Sequence, residues 1–558
     1  MKIYKKVIIQ SSFIVLIVGL WLGTGEFSAT ANNALLKANN VSTKTSSDLT
    51  MAWWNGLDKG WQEVVRLNAG FSKEPTAKHL SDLAKTSSLD CNGAEIKNFK
   101  PIGAFKKLKE INAGYATLES VAGLEGLPNL VKIDVSNTQV ANLNGLENLK
   151  KLKHLNLNST PLTSIKGIEN VGGSLEVLNL GETEVSSLAG IEKLTKLKEI
   201  NIQSLGISSL KEIGGLTKLE TLICSDTPIR DFTGAEKLDS LQIIYAGASN
   251  LSSLKGIENF KKLRILDCSN TSLSNMAGIE KLANLRTLLV ASTAVSNLKG
   301  LEKLGKLEVL DISGNSVSNI SNVGKLANLK ELNCEETAIS SFQGLENLPK
   351  LQILSCTNSN ISSLKGLGIV PNLEVLNCQD TNIKSLAGIG EAKNLKTLNC
   401  RSTQISSLAG IEGLKKMERL YCENTTISSL KGIDSLKNLL IIDCSDTQVA
   451  NLEGVGGLKY LEELNCSNTV IKSLEGVAGS KRLKKVNASD CDALASLKGA
   501  QGLPNLETLN CENTKVKDLE PLYKLKKLDT FYCPNTKVTK EAIEAFKKVN
   551  KRCYILSE

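Results

Sequence analysis

The chain has 558 residues, of which 41% are apolar, 22% charged and only 4% aromatic, and its net charge is +9. This balance excludes a disordered chain, and the low aromatic share demands an aliphatic core. Two histidines, His79 and His154, are too few for a histidine-based metal site, and a mild charge without a long basic run gives no reason to expect nucleic acid.

At the N-terminus, Lys2, Lys5 and Lys6 precede an apolar stretch from Val7 to Leu22 that is interrupted by Gln10, Ser11 and Ser12. Small residues follow, ending Ala29-Thr30-Ala31. This three-part pattern predicts a secretory signal peptide over residues 1–31. The apolar stretch is too short and too polar for a permanent span, so no stable membrane span is expected after cleavage. The expected location is secreted, periplasmic or cell-surface.

Residues 32–50 are rich in Asn, Ser and Thr and are expected to form a flexible lead. A helical cap is expected over 51–85. In it, Met51 to Leu67 place Trp54, Leu57, Trp61 and Val65 at helical spacing, and Pro75 opens a second short helix through Leu80 and Leu83.

Seven cysteines then fall 22 residues apart, at Cys334, Cys356, Cys378, Cys400, Cys422, Cys444 and Cys466. The same step extends in both directions, from Cys91 to Cys533, through 21 rows; one residue is added only between 157 and 180 and between 488 and 511. A short period repeated this often predicts a solenoid over 86–539. Within a row such as Leu373, Leu376, Cys378, Thr381, Ile383, Leu386, Gly388 and Ile389, the first apolar positions alternate with polar ones, which is the period of a short strand. Gly388 then turns the chain. A single coil exposes both of its apolar faces, so each must stack on the next.

The pattern L-x-x-L-x-C-x-x-T-x-I resembles bacterial leucine-rich repeats, and the 22-residue length resembles the internalin type, with a Cys/Thr variant of the consensus. The resemblance implies an α/β solenoid, a horseshoe or arc with a parallel sheet on its concave face and helical caps at both ends. It also implies binding of a macromolecule, most often a protein, without catalysis and without a cofactor. The asparagine that usually ladders to the next turn is Thr in fourteen rows and is kept only at Asn315. A hydroxyl has one donor and a shorter reach, so a weaker ladder is expected. The usual proline appears only at Pro101 and Pro521, with glycine in sixteen rows. Exported, cysteine-bearing rows of this kind also resemble secreted repeat proteins of Gram-negative bacteria. Residues 540–558 resemble the closing helix and strand of ribonuclease-inhibitor-like repeats, with Ile543, Phe546 and Val549 on one face.

Twelve of the fourteen cysteines occupy one repeat position, where other rows carry Ala, Val, Leu or Ile. Interchange with aliphatic residues marks a buried core filler, so free thiols forming a structural column are expected. Strands sit ~4.7–4.9 Å apart, wider than the ~3.5–4.5 Å that the Cβ atoms of a disulfide require. A flat row of thiols is no tetrahedral metal cage either, and no metal is expected. Free thiols in an exported chain also fit an effector that acts in a reducing host cytosol.

No catalytic motif emerges. Gly300 to Lys306 fits G-x-x-x-x-G-K but continues with Leu307 in place of the Ser or Thr that meets magnesium, and it lies inside the repeat frame. What remains is the outward side of the strands. The position before the core cysteine is usually Asn or Asp, as at Asn333, Asn377, Asn399, Asp443 and Asn465. Ile223, Ile243, Tyr245, Ile265 and Leu289 break that pattern on four consecutive coils and are the expected ligand-binding patch. A thinner group comprises Ile353, Val375, Arg419, Tyr421 and Ile441; its Arg419 and Tyr421 are interface-favoured types. A protein partner is the first expectation. A structural or adhesive envelope role with distributed glycan contacts is the alternative.

Overall fold

The computed structural model describes residues 49–367 and 370–557. The expected signal peptide and nearly all of the expected lead lie outside the described residues. From Leu49 onward the chain forms one compact unit built on a 22-stranded parallel sheet.

Each strand is three residues long, and its partner lies one repeat further on. Ser88–Asp90 (β1) pairs with Glu110–Asn112 (β2), and the series continues in chain order to Thr530–Tyr532 (β21) and Tyr554–Leu556 (β22). The one-residue insertions leave this register intact: Leu155 still faces Leu178, and Val486 faces Leu509. The first insertion is taken up on the far side, in the 3-10 turn Ile168–Val171 and the glycine pair after it.

The repeat frame explains the path of each coil. The middle strand residue and the cysteine-position residue both point inward, so Leu376 and Cys378 are fully buried. Two residues beyond the cysteine position the backbone is left-handed in every coil, for example at Asp380 (φ 54°) and Asn424 (φ 54°). The second reversal is made by a left-handed glycine such as Gly256 (φ 93°), where a Cβ would lie 2.7 Å from the Phe232 carbonyl oxygen. Leu and Ile from all sides fill one continuous core, as the low aromatic content requires.

The N-terminal cap differs from the expectation of one helix over Met51 to Leu67. Two helices form, α1 (Met51–Asn55) and α2 (Lys59–Ala69), because Gly56 closes the first and the Asp58 carboxylate accepts from the Trp61 N–H to open the second. The third helix, α3 (Ala77–Leu83), starts after Thr76, whose hydroxyl accepts from the His79 N–H, so Pro75 precedes the cap residue. Trp54 and Trp61 are buried; Trp54 packs edge-on to Phe71 within the cap, and Trp61 packs edge-on to Phe99 of the first coil. Asn68 closes the free edge of β1: its amide donates to the Asp90 carbonyl (2.6 Å) and its oxygen accepts from the Asp90 N–H (2.9 Å). At the other end, Ile543 and Phe546 of α4 (Lys540–Val549) cover the last coil, with Phe546 edge-on to Phe531.

Candidate functional site

Coils are numbered here from 1, at Cys91, to 21, at Cys533. On the concave face the residue before the cysteine position does two jobs. In fifteen coils it is Asn or Asp, and in all of these but coil 2 (Asn112) its side-chain oxygen accepts from the backbone N–H two residues on, as Asn201 does for Gln203 (2.9 Å) and Asp267 for Ser269 (2.9 Å). This local closure is an Asx turn, and it stabilises the left-handed turn that follows. The same amides also bridge coils: Asn156 donates to Asp134 (3.0 Å), and Asn465 to Asp443 (2.9 Å).

Six coils carry another residue there: Ser355, Tyr421 and Tyr532 in coils 13, 16 and 21, and apolar or aromatic residues in coils 7, 8 and 10. Ile223, Tyr245 and Leu289 stand in the Asx position and accept nothing from the backbone. Ile223 lies directly beside Tyr245, and Ile243 beside Ile265, so four of the expected patch residues form two adjacent cross-strand pairs. All four are partly exposed. Leu289 is different: Asp267 separates it from Tyr245, and it is only 6% exposed. Its expected place in an exposed patch is therefore corrected, because neighbouring side chains cover it. Burial and the nearby Asp267 carboxylate raise the Tyr245 hydroxyl above its ordinary pKa, and burial raises Asp267.

The thinner group lies further along. Arg419 is ion-paired with Glu418 (3.3 Å), and Tyr421 sits half-buried beside Asp443. Three and two coils earlier Ile353 faces Val375, with Thr397 between Val375 and Arg419, while Ile441 faces Arg419. Two residues after Tyr421, Glu423 is buried on the same face. Its Oε1 lies 3.6 Å from Arg401 Nε, and its Oε2 has no hydrogen-bond partner among the described residues. Burial first, then the Asp443 charge, pushes this carboxyl up to about 7.

The thiol column lies directly beneath this face. Cys334, Cys356, Cys378, Cys400, Cys422, Cys444 and Cys466 are fully buried and free, and each donates its S–H to a carbonyl of the next coil, from Cys334 to Ser355 (3.2 Å) through Cys466 to Asn487 (3.3 Å). Burial raises their pKa values, to about 12 for Cys378. Cys491 takes the threonine position of its coil and reaches back to the Cys466 carbonyl (3.1 Å).

A further cross-coil system was missed from the sequence. Four residues before the cysteine position, charges alternate along the rim of the sheet. Glu176 bridges Lys153 and Lys198 (2.7 Å each), Glu308 bridges Arg286 and Lys330, and Lys484 meets Glu462 (2.9 Å). The two cations hold the Glu176 carboxyl down to about 2. The signal is visible as alternating Lys and Glu at the repeat spacing, once the strand register is known. The Gly300 to Lys306 segment serves the repeat: Gly300 is the left-handed turn glycine, and Lys306 binds the side chain of Asn284 (2.7 Å). Among the described residues, no group of three His, Cys, Asp or Glu could hold a metal ion, and no helix is long and apolar enough to cross a membrane.

A family model described as a leucine-rich repeat region matches residues 237–382, and one for two copies of the leucine-rich repeat matches 371–416 and 393–438. No curated protein matches the chain by sequence. Among solved structures, the plant peptide hormone receptor RGFR1 in complex with RGF2 is 18% identical, covers 85% of this chain and 95% of its own, and superposes with a TM-score of 0.54. The leucine-rich repeat ectodomain of the receptor kinase GASSHO1/SCHENGEN3 from Arabidopsis thaliana is 16% identical, covers 86% of this chain and 68% of its own, and has the same TM-score of 0.54. An internalin, inlF from Listeria monocytogenes, is 21% identical over 57% of this chain and 88% of its own, with a TM-score of 0.48. The fold is a leucine-rich repeat arc.

Proposed function

We propose that this leucine-rich repeat chain is an exported, non-catalytic protein that binds a protein partner on its concave sheet. The binding centre is Ile223, Ile243, Tyr245 and Ile265, with Arg419 and Tyr421 as a second contact. One observation carries this reading. Where Ile223 and Tyr245 stand, the chain gives up a side-chain hydrogen bond to the backbone that fourteen other coils keep. Such a bond contributes about 0.5–1.5 kcal/mol. Two neighbouring coils that forgo it and present Ile and Tyr to solvent are better accounted for by contact with another molecule than by the needs of the fold. Export rests on the lysines and apolar stretch before Ala31.

The test replaces Ile223 and Tyr245 with Asn, restoring the consensus rather than adding a charge to the face. The full chain and the Ile223→Asn, Tyr245→Asn variant are used to capture proteins from host-cell extract and from the producer's own envelope. A discrete protein held by the parent chain and lost by the folded variant is expected. Identical captures by both would reject the site.

A further inference from the structure

Wherever Asx is missing before the cysteine position, the backbone N–H two residues on loses its acceptor. In coil 16 the following Glu423 supplies its own carboxylate, and in coil 21 the position is Pro534, which has no N–H. Coils 7, 8, 10 and 13 have neither remedy, and in coil 2 Asn112 does not close onto the Gly114 N–H. The N–H groups of Ser225, Gly247 and Ala291, like those of Thr357 and the buried Gly114 on distant coils, donate to no group among the described residues; the first three are partly exposed and fall within four consecutive coils beside the apolar patch. Coil 9, between them, is closed normally by Asp267 and Ser269 (2.9 Å).

We infer that these three N–H groups are hydrogen-bond donors held for the partner, and that the partner presents an extended, uncharged peptide segment whose backbone carbonyl oxygens meet them. The inference rests on the proposed concave binding surface and names the chemistry it recognises. Adjacent strands are ~4.8 Å apart, so the three donors span roughly 14 Å across the coils, the length of about four extended residues. The same rows place Ile223, Ile243, Tyr245 and Ile265 next to the donors, where an apolar side chain of that segment would rest. Charge selects a carbonyl over a carboxylate. On coils 7 to 10 the two outward strand positions carry a single charged type, Asp267, and it lies in the middle of the donor row. An anionic ligand would meet that carboxylate, whereas a neutral peptide does not. A donor left to water in the free protein and paired in the complex favours binding without extra cost to the fold beyond the missing Asx bond.

The probe is a library of random twelve-residue peptides displayed on phage and selected on the full chain, with selected peptides then synthesised and their Kd measured. Ser225→Pro and Ala291→Pro each delete one donor and leave the apolar patch in place; Pro534 shows that this repeat position accepts proline. Ser225→Ala is the control that keeps the N–H. Gly247 is left alone, because a Cβ there would lie 3.2 Å from the Ser269 carbonyl oxygen. Each proline is expected to raise Kd about three- to tenfold, the range of one net hydrogen bond, with Ser225→Ala unchanged. As a measure independent of any variant's folding, replacing the contacting peptide amide by an ester, a weaker acceptor, is expected to weaken binding to the parent chain by a similar factor. Unchanged Kd for both proline variants and for the ester peptides, with loss on Tyr245→Asn, would overturn the inference and leave the binding surface standing. If no selected peptide responds to Tyr245→Asn either, both fail.

Discussion

The side-chain amide of Asn315 donates to the carbonyl oxygen of Val290, one coil back, at 2.7 Å, while its Oδ1 accepts from the Thr293 N–H at 3.1 Å. Most threonines at the same position reach only their own coil, as Thr403 donates to the Cys400 carbonyl at 2.7 Å; Thr293 and Thr469 also meet the next coil, at Asn315 (2.7 Å) and Cys491 (3.3 Å). Most junctions in this solenoid therefore lack a side-chain tie at this point. Asn315→Thr should lower the urea midpoint, with a loss of about 1–2 kcal/mol, and Thr403→Asn should raise it. Equal midpoints for all three chains would show that the asparagine adds nothing.

All fourteen cysteines are free and buried. A thiol reacts as its thiolate, and burial pushes Cys224 and Cys378 up to about 12 and Cys533 and Cys553 up to about 11. In native buffer at pH 8 a thiol reagent should label almost nothing at first, and Cys553 should lead because it is the most exposed of them, at 9%. In denaturant without reductant the count should be fourteen. A denatured count near zero would mean the column is oxidised.

Glu423 gives the stability a pH dependence of unusual sign for a carboxylate. Its folded pKa, about 7, lies above the ordinary 4.5, so the folded state binds the proton more tightly than the unfolded state. The stability it contributes is present below about pH 4.5 and is lost as pH rises through 7. The charges that face it are Arg401, Asp443 and Asp446. Glu423→Gln should therefore match the parent near pH 4.5 and be more stable at pH 8, by about 2–3 kcal/mol. A constant difference across that range would assign the carboxyl an ordinary pKa.

Turn glycines and spacer glycines should separate cleanly. Gly256→Ala places a Cβ 2.7 Å from the Phe232 carbonyl oxygen at a left-handed φ of 93° and should cost about 1–3 kcal/mol. Gly305→Ala meets nothing within 4 Å and should be neutral or stabilising by up to about 1 kcal/mol. Thermal unfolding of the two variants provides the comparison.

The period, the inward cysteine position and the turn glycines were legible in the sequence because each is fixed by one residue type at one spacing. The left-handed position two residues beyond the cysteine was not. There the ladders on either side hold the backbone, and the chain accepts Asn, Asp and Ser but also Glu182, Tyr115 and Ala248. Leu289 was misjudged because strand alternation gives the side of the sheet and not what covers it. The break between α1 and α2 was hidden by Leu57, which suits the helical spacing, although Gly56 and Asp58 were the available signals. The Asx closures could have been anticipated from Asn and Asp two residues before the turn. Reading them as a polar column alone missed that Ile223, Tyr245 and Leu289 also leave a backbone donor free.

The central claim is that Tyr245 is kept at the expense of the fold. Its most direct test is equilibrium urea unfolding of Tyr245→Asn beside the parent chain. Asn at this position should close onto the Gly247 N–H, as Asp267 does onto Ser269, and the midpoint should rise by an amount equivalent to about 0.5–1.5 kcal/mol. A lower midpoint would contradict the account, because it would make Tyr245 an ordinary strand residue retained for its packing.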